Sequence, residues 1–398
     1  MNQKEVGELR RRFRPEKSNI DHIYGCYVNA SSREIVSYLD EPLSLTATEE
    51  SEKYLNILKK TLSGTLGRNL LDVIFTTQQV MDSEEHRLLS ALRSTGLKDP
   101  DARNTFYQKI IQNVDMGETN YIILLACDAY DVPHKGRDGE FQPDASDEVF
   151  TYILSCVCPV KGCRMQLGYF PGENEFHGCA AGQVISAPEM GFLFPAFDNR
   201  AANIYNALFY TRSQNQLHSD YIDAVFHTDP PMSAAEQREA FETALSDALE
   251  EDFQMEVAQS VHEQLLERIE RHKESHDPEP LAVTPREVGS ILQSCGVTQL
   301  RVEAFESHCT EQFGENAVLN PMNLIDSKRF EVKTPEITIS VKPECSYLIE
   351  TCVIDGRKYL LIPVGDGVEI NGLPVGISDR TVPAAEIIPA EAVPTKIP

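Results

Sequence analysis

Nothing in this chain is apolar for long. The longest apolar run, Tyr121 to Ala126, stops short of Asp128, far below the ~20 residues that span a bilayer. The opening residues Met1-Asn2-Gln3-Lys4-Glu5 lack the apolar stretch of a secretory signal. A membrane is therefore not an expected partner, and the expected location is the cytoplasm. Basic residues are also scarce: 36 Lys and Arg stand against 62 Asp and Glu, a formal net charge of −26. Such a chain repels nucleic-acid phosphate and anionic lipid and stays soluble, so nucleic acid is not an expected partner. The common catalytic signatures are missing as well. There is no G-x-x-x-x-G-K-[ST] loop, G-x-G-x-x-G turn, H-E-x-x-H helix or G-x-S-x-G elbow. Tryptophan is absent too, which excludes nothing.

What is present is an ordinary apolar content spread over 398 residues, enough for two or three domains at roughly 100–200 residues each. The pattern predicts an α+β protein: N-terminal helices and a mixed sheet, then a helical region and a small C-terminal β unit. Residues 1–215 form the α+β domain, 216–332 the helical region, 333–373 the β unit and 374–398 a disordered tail. Val6, Leu9 and Phe13 make one face of a first helix, and two β-rich runs flank Asn29-Ala30-Ser31-Ser32 as a hairpin. Thr46 with Glu49 fits a capping box before the helical stripe Tyr54, Leu55, Leu58 and Leu62. Asp82 with Glu85 fits a helix start, and Asp99-Pro100 a further one. The apolar run Leu70 to Phe75 suits strand or helix equally. Between Tyr121 and Thr211 the runs are rich in β-branched and aromatic residues and nearly continuous. They predict strands buried on both faces and covered by helices. The polar segment Asp131 to Asp147, with Gly136, Gly139 and Pro143, reads as a long loop.

Helices return after residue 215. Ser233 and Glu236 form a capping box, Val257, Val261, Leu265 and Ile269 recur every fourth residue, and Thr284-Pro285 with Glu287 is the strongest helix start in the chain. Near the C-terminus, Ile354-Asp355-Gly356 between two β-rich runs signals a hairpin.

The residues that could carry chemistry are few. Ten cysteines in a long chain without an export signal read as free thiols. Cys156, Cys158, Cys163 and Cys179 with His177 are the densest group, but Cys-x-Cys is not the Cys-x2-Cys knuckle of structural zinc sites. No metal and no cofactor are expected. Cys127, Asp128, Asp131 and His134 read as the mouth of a strand, where ligands often bind. Asp198-Asn199-Arg200 leaves a second buried run and offers a carboxylate, an amide and a guanidinium; a turn with a local salt bridge explains it equally. The candidate polar site is thus Asp128, Asp131, His134, Asp198, Asn199 and Arg200. Gly64-Thr65-Leu66-Gly67 has the G-x-x-G spacing of a nucleic-acid clamp and also suits a helix end followed by a turn. Arg10, Arg11, Arg12, Arg14 and Lys17 form the one basic cluster.

Several stretches together resemble a family of unknown function from Gram-positive, clostridia-like anaerobes. They are Glu8-Leu9-Arg10-Arg11-Arg12-Phe13, His22-Ile23-Tyr24-Gly25-Cys26-Tyr27-Val28, Gly191-Phe192-Leu193-Phe194-Pro195-Ala196-Phe197-Asp198, Ile204-Tyr205-Asn206-Ala207-Leu208, Val261-His262-Glu263-Gln264-Leu265 and the hairpin around Ile354 to Tyr359. The resemblance extends to about Gly372. It implies a cytosolic setting and carries no catalytic residues over.

The function expected from these observations is that of a non-enzymatic interaction or regulatory protein whose partner is a protein. The alternatives are an enzyme with its polar site between residues 120 and 210, and a nucleic-acid-associated protein using the basic cluster and the Gly64 loop. The proline-rich end buries little, so deleting residues 381–398 is expected to leave the melting temperature unchanged. A fall of several degrees in a thermal melt of the truncated chain would show that this end docks on the fold.

Overall fold

The computed structural model describes residues 1–135, 141–162, 166–179, 182–315, 317–354, 356–364, 367–370 and 372–376. Of the tail expected over residues 374–398, residues 377–398 lie outside these residues, while Pro374 and Val375 belong to a short strand and not to a disordered tail. The chain divides into two compact units: residues 1–237 with 277–280, and residues 238–276 with the chain from 281 onward.

The first unit begins with α1 (Gln3–Arg10), capped by the Asn2 side chain and by Glu5 in a reciprocal box. The hairpin β1 (His22–Asn29) and β2 (Glu34–Pro42) follows, with α2 (Thr48–Lys60) after it. β3 (Leu70–Ile74) settles the ambiguous apolar run as a strand. Then come α3 (Thr77–Asp82), α4 (Glu84–Ser94) and α5 (Pro100–Asn113). The long pair β4 (Tyr121–Lys135) and β5 (Phe141–Gly162) leads to the hairpin β6 (Gln166–Phe170) and β7 (Glu175–Cys179). The unit continues with β8 (Gln183–Ile185), β9 (Met190–Phe194), β10 (Ala196–Asp198), β11 (Ala201–Asn203), β12 (Asn206–Thr211) and α6 (Ser219–Phe226).

One large sheet organises this unit, in the order β2-β1-β4-β5-β9-β12-β3 with β8 also on β5. Its ladders are antiparallel. Side chains alternate across a strand, and both faces are buried. Ile123 and Leu125 of β4 join a core closed by Leu89, Leu92, Phe106, Ile110, Tyr221 and Phe226 of α4, α5 and α6. Ile122, Leu124 and Ala126 join a core closed by Val6, Leu9, Leu55 and Leu58 of α1 and α2. The near-continuous apolar runs are therefore what a helix–sheet–helix sandwich demands, even with antiparallel strands.

Three local expectations differ from the structure. The segment Asp131 to Asp147 is no long loop: β4 continues to Lys135, with His134 opposite Gln142 and Lys135 opposite Phe141. The register shifts on either side of Pro133, because proline gives the ladder no N–H and is accommodated by a bulge. Thr46 does not cap α2. Its hydroxyl lies 2.7 Å from the Glu41 carboxylate and 2.9 Å from the Pro42 carbonyl, and Ala47 holds the cap position without a side-chain bond. Ser83, not Asp82, caps α4, accepting the His86 N–H at 3.2 Å.

The second unit is helical at its core. Phe241, Leu245 and Leu249 of α7 (Ala234–Leu249) pack with Val257, Val261, Leu265 and Ile269 of α8 (Met255–Ser275). α9 (Pro285–Ser294) and α10 (Gln299–Phe313) add Val288, Ile291, Leu292, Val302 and Phe305. Both predicted boxes form: Ser233 N–H to Glu236 at 2.7 Å with Glu236 N–H to Ser233 at 3.1 Å, and Thr284 with Glu287 in the same way. After the short α11 (Pro321–Leu324) come three two-stranded ladders. They are β13 (Phe330–Lys333) with β14 (Thr338–Val341), β15 (Glu350–Ile354) with β16 (Arg357–Leu361), and β17 (Val368–Ile370) with β18 (Leu373–Val375).

Strand β9 passes so close to β5 that a Cβ on Gly191 would lie 2.4 Å from the Ser155 carbonyl oxygen and 2.9 Å from Thr61. Backbone cannot yield as a side-chain end can. Gly191→Ala is expected to destabilise the first unit by about 1–3 kcal/mol in urea denaturation. Gly162→Ala, with nothing among the described residues within 4 Å of the new carbon, is the control and should change stability little.

Candidate functional site

The polar cluster is built where β4 leaves its apolar run. Asp128 follows Ala126 and Cys127 and is only 2% exposed. A carboxylate so placed is tolerated only if paired and hydrogen-bonded. Arg12, just beyond α1, supplies both: its Nε donates to one carboxylate oxygen at 2.7 Å and its Nη2 to the other at 2.9 Å. The Tyr152 hydroxyl donates at 2.8 Å and the Asn19 backbone N–H at 3.1 Å. Four donors on two oxygens nearly exhaust what a carboxylate can accept. The Arg12 guanidinium also lies 4.4 Å over the Tyr130 ring. Burial works against the Arg12 charge, but the hydrogen bond and field of Asp128 outweigh it and hold the group above its ordinary value. Burial, reinforced by Asp128, pushes the Tyr152 phenol well above its usual range.

Arg200 belongs to the tight turn between β10 and β11, where Asn199 and Arg200 both take positive φ, 51° and 62°. Its Nη1 donates to both Glu8 oxygens at 2.8 and 2.6 Å, and its Nη2 to the Pro133 carbonyl at 3.0 Å. Glu8 also accepts from the Tyr130 hydroxyl at 2.5 Å. Burial first, and that bond second, push the Tyr130 phenol up to about 12. Asp198 lies 2.6 Å from the Met1 nitrogen and accepts from Asn203 at 2.6 Å.

Asp128 and Arg200 are thus linked through the N-terminal segment, by Arg12 on one and by Glu8, itself bound to Tyr130, on the other, whereas Asp198 pairs with the Met1 nitrogen just ahead of α1. Asp131 is exposed. Asn199 serves the turn. The His134 side chain lies outside the described residues. Sequence reasoning missed Glu8, Arg12, Asn19, Tyr130 and Tyr152. The signal was an aspartate directly after a buried strand run, which requires a cation from elsewhere in the chain; the arginine cluster was the available source. Glu8, Arg11, Arg12, Lys17, Tyr130 and Pro133 line a cleft of about 390 Å³ over this network.

Cys156 and Cys158 are buried with their sulfurs 3.6 Å apart. Their mutual contact and burial push the Cys156 thiol well up, so it stays protonated. Cys163 and the Cys179 side chain lie outside the described residues. Among the described residues no group of three or more His, Cys, Asp or Glu is placed to hold a metal. The Gly64 loop folds on itself between α2 and β3, with Gly64 at φ 120° against Asn69 and the Gly67 N–H bound to the Leu70 carbonyl. It is a helix end and turn.

Two further clefts were not foreseen. One of about 620 Å³ in the first unit is lined by Asp115, Leu217, His218, Asp220, Pro231 and Glu236. Burial depresses the basicity of His218 there. One of about 390 Å³ in the second unit has Phe241, Val261 and Phe330 as apolar wall and Arg238, Arg329 and Lys333 among its lining.

The structure defines an antiparallel helix–sheet–helix unit and a helical unit with small β ladders, with a polar cluster bound up in its own ion pairs. A family model described as a domain of unknown function (DUF4317) matches residues 1–373, and the chain belongs to that family. No curated protein and no solved structure matches it.

Removing one member of the Asp128 pair would strand the other charge in the interior. Arg12→Ala and Asp128→Ala are each expected to cost about 3–5 kcal/mol in urea denaturation, whereas Asp131→Ala should stay within about 0.5 kcal/mol. A cost below 1 kcal/mol for both would show that the pair does not hold the fold.

Proposed function

We propose that this protein acts by binding another protein and not by turning over a small molecule. The observation that carries this reading is the hairpin β6–β7. Tyr169 stands opposite Phe176 and Leu167 opposite Gly178, so Leu167, Tyr169 and Phe176 share one hairpin face. They are 75%, 49% and 69% exposed, and the two rings lie 4.9 Å apart. Exposed apolar groups gathered on one small element mark a contact surface. Glu173 lies in the turn and Glu175 directly after it, and the whole chain carries −26. The partner surface that fits is apolar at its centre with basic side chains around it.

What speaks against turnover between residues 120 and 210 is that Asp128, Asp198 and Arg200 each already serve a partner within the chain. Neither carboxylate is left idle for acid–base work. A cytosolic setting, in a Gram-positive anaerobe as the sequence resemblance implies, is part of the same proposal. It is supported by the eight described cysteines, which are free thiols.

The test is affinity capture by the full chain from a native lysate, compared with the double variant Tyr169→Asp/Phe176→Asp. A stoichiometric protein captured by the parent chain and lost in the variant, with unchanged melting, is the expected result. Equal recovery by both would refute the assignment of the hairpin.

A further inference from the structure

The basic cluster at the N-terminus divides into two kinds of cation. Arg12 is committed to Asp128. Arg10, Arg11, Arg14 and Lys17 have no ion pair among the described residues. In a chain with 62 acidic residues against 36 basic ones, four neighbouring cations without a carboxylate partner need a reason. Two of them, Arg11 and Lys17, line the cleft above the Asp128 network.

That cleft has a rigid floor. The Arg12 side chain is only 13% exposed, and its Nε and Nη2 are fixed on Asp128 while its plane lies over Tyr130. Its third nitrogen, Nη1, has no partner among the described residues. A guanidinium held in place by two bonds loses little freedom when it donates a third. Glu8 is the carboxylate among the described lining residues. It is neutralised by Arg200 and capped by Tyr130. Among the described lining residues and their partners, Arg12 is paired with Asp128 and Arg200 with Glu8, which leaves the charges of Arg11 and Lys17; the exposed Glu16 and Asp131 stand outside the lining.

We infer that this cleft binds the phosphate group of a small ligand. Two residual positive charges match a phosphate dianion. The free Arg12 nitrogen supplies a fixed donor, and charge-assisted bonds from arginine and lysine are the strong ones for phosphate oxygens. A volume of about 390 Å³ falls in the range of small-molecule sites and admits a phosphate with a modest body attached. A long polyanion would leave the cleft and cross a surface of its own sign, where screening beyond roughly 8 Å gives the cluster no reach. This site is separate from the β6–β7 surface, so its failure would leave the protein-binding proposal standing.

The experiment is isothermal titration of the full chain at low ionic strength with inorganic pyrophosphate, inorganic phosphate and a short DNA duplex as separate probes. Saturable one-to-one binding of the phosphates is expected. The double variant Arg11→Gln/Lys17→Gln changes only exposed side chains, and its thermal melt should match the parent. It should weaken pyrophosphate binding about tenfold or more, roughly 1.4 kcal/mol. Arg14→Gln, a cation of the same cluster outside the cleft lining, should change affinity less than twofold. The proposal is overturned by no saturable heat, by equal affinity in the double variant, or by an equal loss in Arg14→Gln, which would mean a diffuse field. Duplex DNA bound more tightly than pyrophosphate and lost in the same double variant would overturn it too, in favour of a nucleic-acid surface.

Discussion

A carboxylate in the interior of a sheet has to be matched by a cation, and in this protein the match comes from far along the chain. Asp128 is buried on β4, and its partner Arg12 lies 116 residues earlier. The pair fixes more than two side chains. The same turn of chain brings Asn19 to Asp128 and to the Ala129 carbonyl. Glu8 is carried to Arg200, and Phe13 is placed in the second core of the sandwich. The N-terminal segment is thereby a structural part of the first unit. Its polar residues and its apolar stripe anchor it to the same face of the sheet. A buried pair of this kind adds little net stability compared with apolar residues of similar volume, yet losing one member is costly. Its value lies in specifying where the segment goes.

This constraint also sorts the surface from the interior. Cations and carboxylates that meet across the sheet end are paired with one another there. Two features of the described residues outside this network carry the two binding proposals. One is the uncancelled charge of Arg11 and Lys17 beside the rigid guanidinium of Arg12. The other is the apolar face of β6–β7, which projects Leu167, Tyr169 and Phe176. They differ in physics: binding at the first, as proposed, would be electrostatic and weaken with salt, while binding at the second would depend on area removed from water and would not.

Much of the architecture was legible because it rests on local rules. The stripe Val257, Val261, Leu265 and Ile269 is buried as a helix face, and the boxes at Ser233 and Thr284 form because cap and backbone partner lie three residues apart. The double-sided sheet was legible from near-continuous apolar runs. The polar segment after Asp131 was misread because its composition is that of a loop, while the pairing of Pro133, His134 and Lys135 with β5 is enforced by the strand before it. Thr46 was misread because its hydroxyl donates to Glu41 and to the Pro42 carbonyl while the helix starts one residue later, with Ala47 at the cap.

The candidate site was half legible. Asp128, Asp198 and Arg200 stand out as polar residues at the ends of apolar runs, and each is paired with another part of the chain: Asp128 with Arg12, Arg200 with Glu8 and Asp198 with the Met1 nitrogen. Their roles were not legible. An arginine cluster reads the same in sequence whether it faces solvent or a buried carboxylate, since the distinction depends on a contact over 116 residues. Composition, periodicity and capping by themselves determined the α+β class, the helical second half and the scarcity of common catalytic motifs, because each of these is set by neighbours within a few positions. Only the tertiary structure decided which charges cancel and which remain, because an ion pair is a matter of distance in space and a sequence records only distance along the chain.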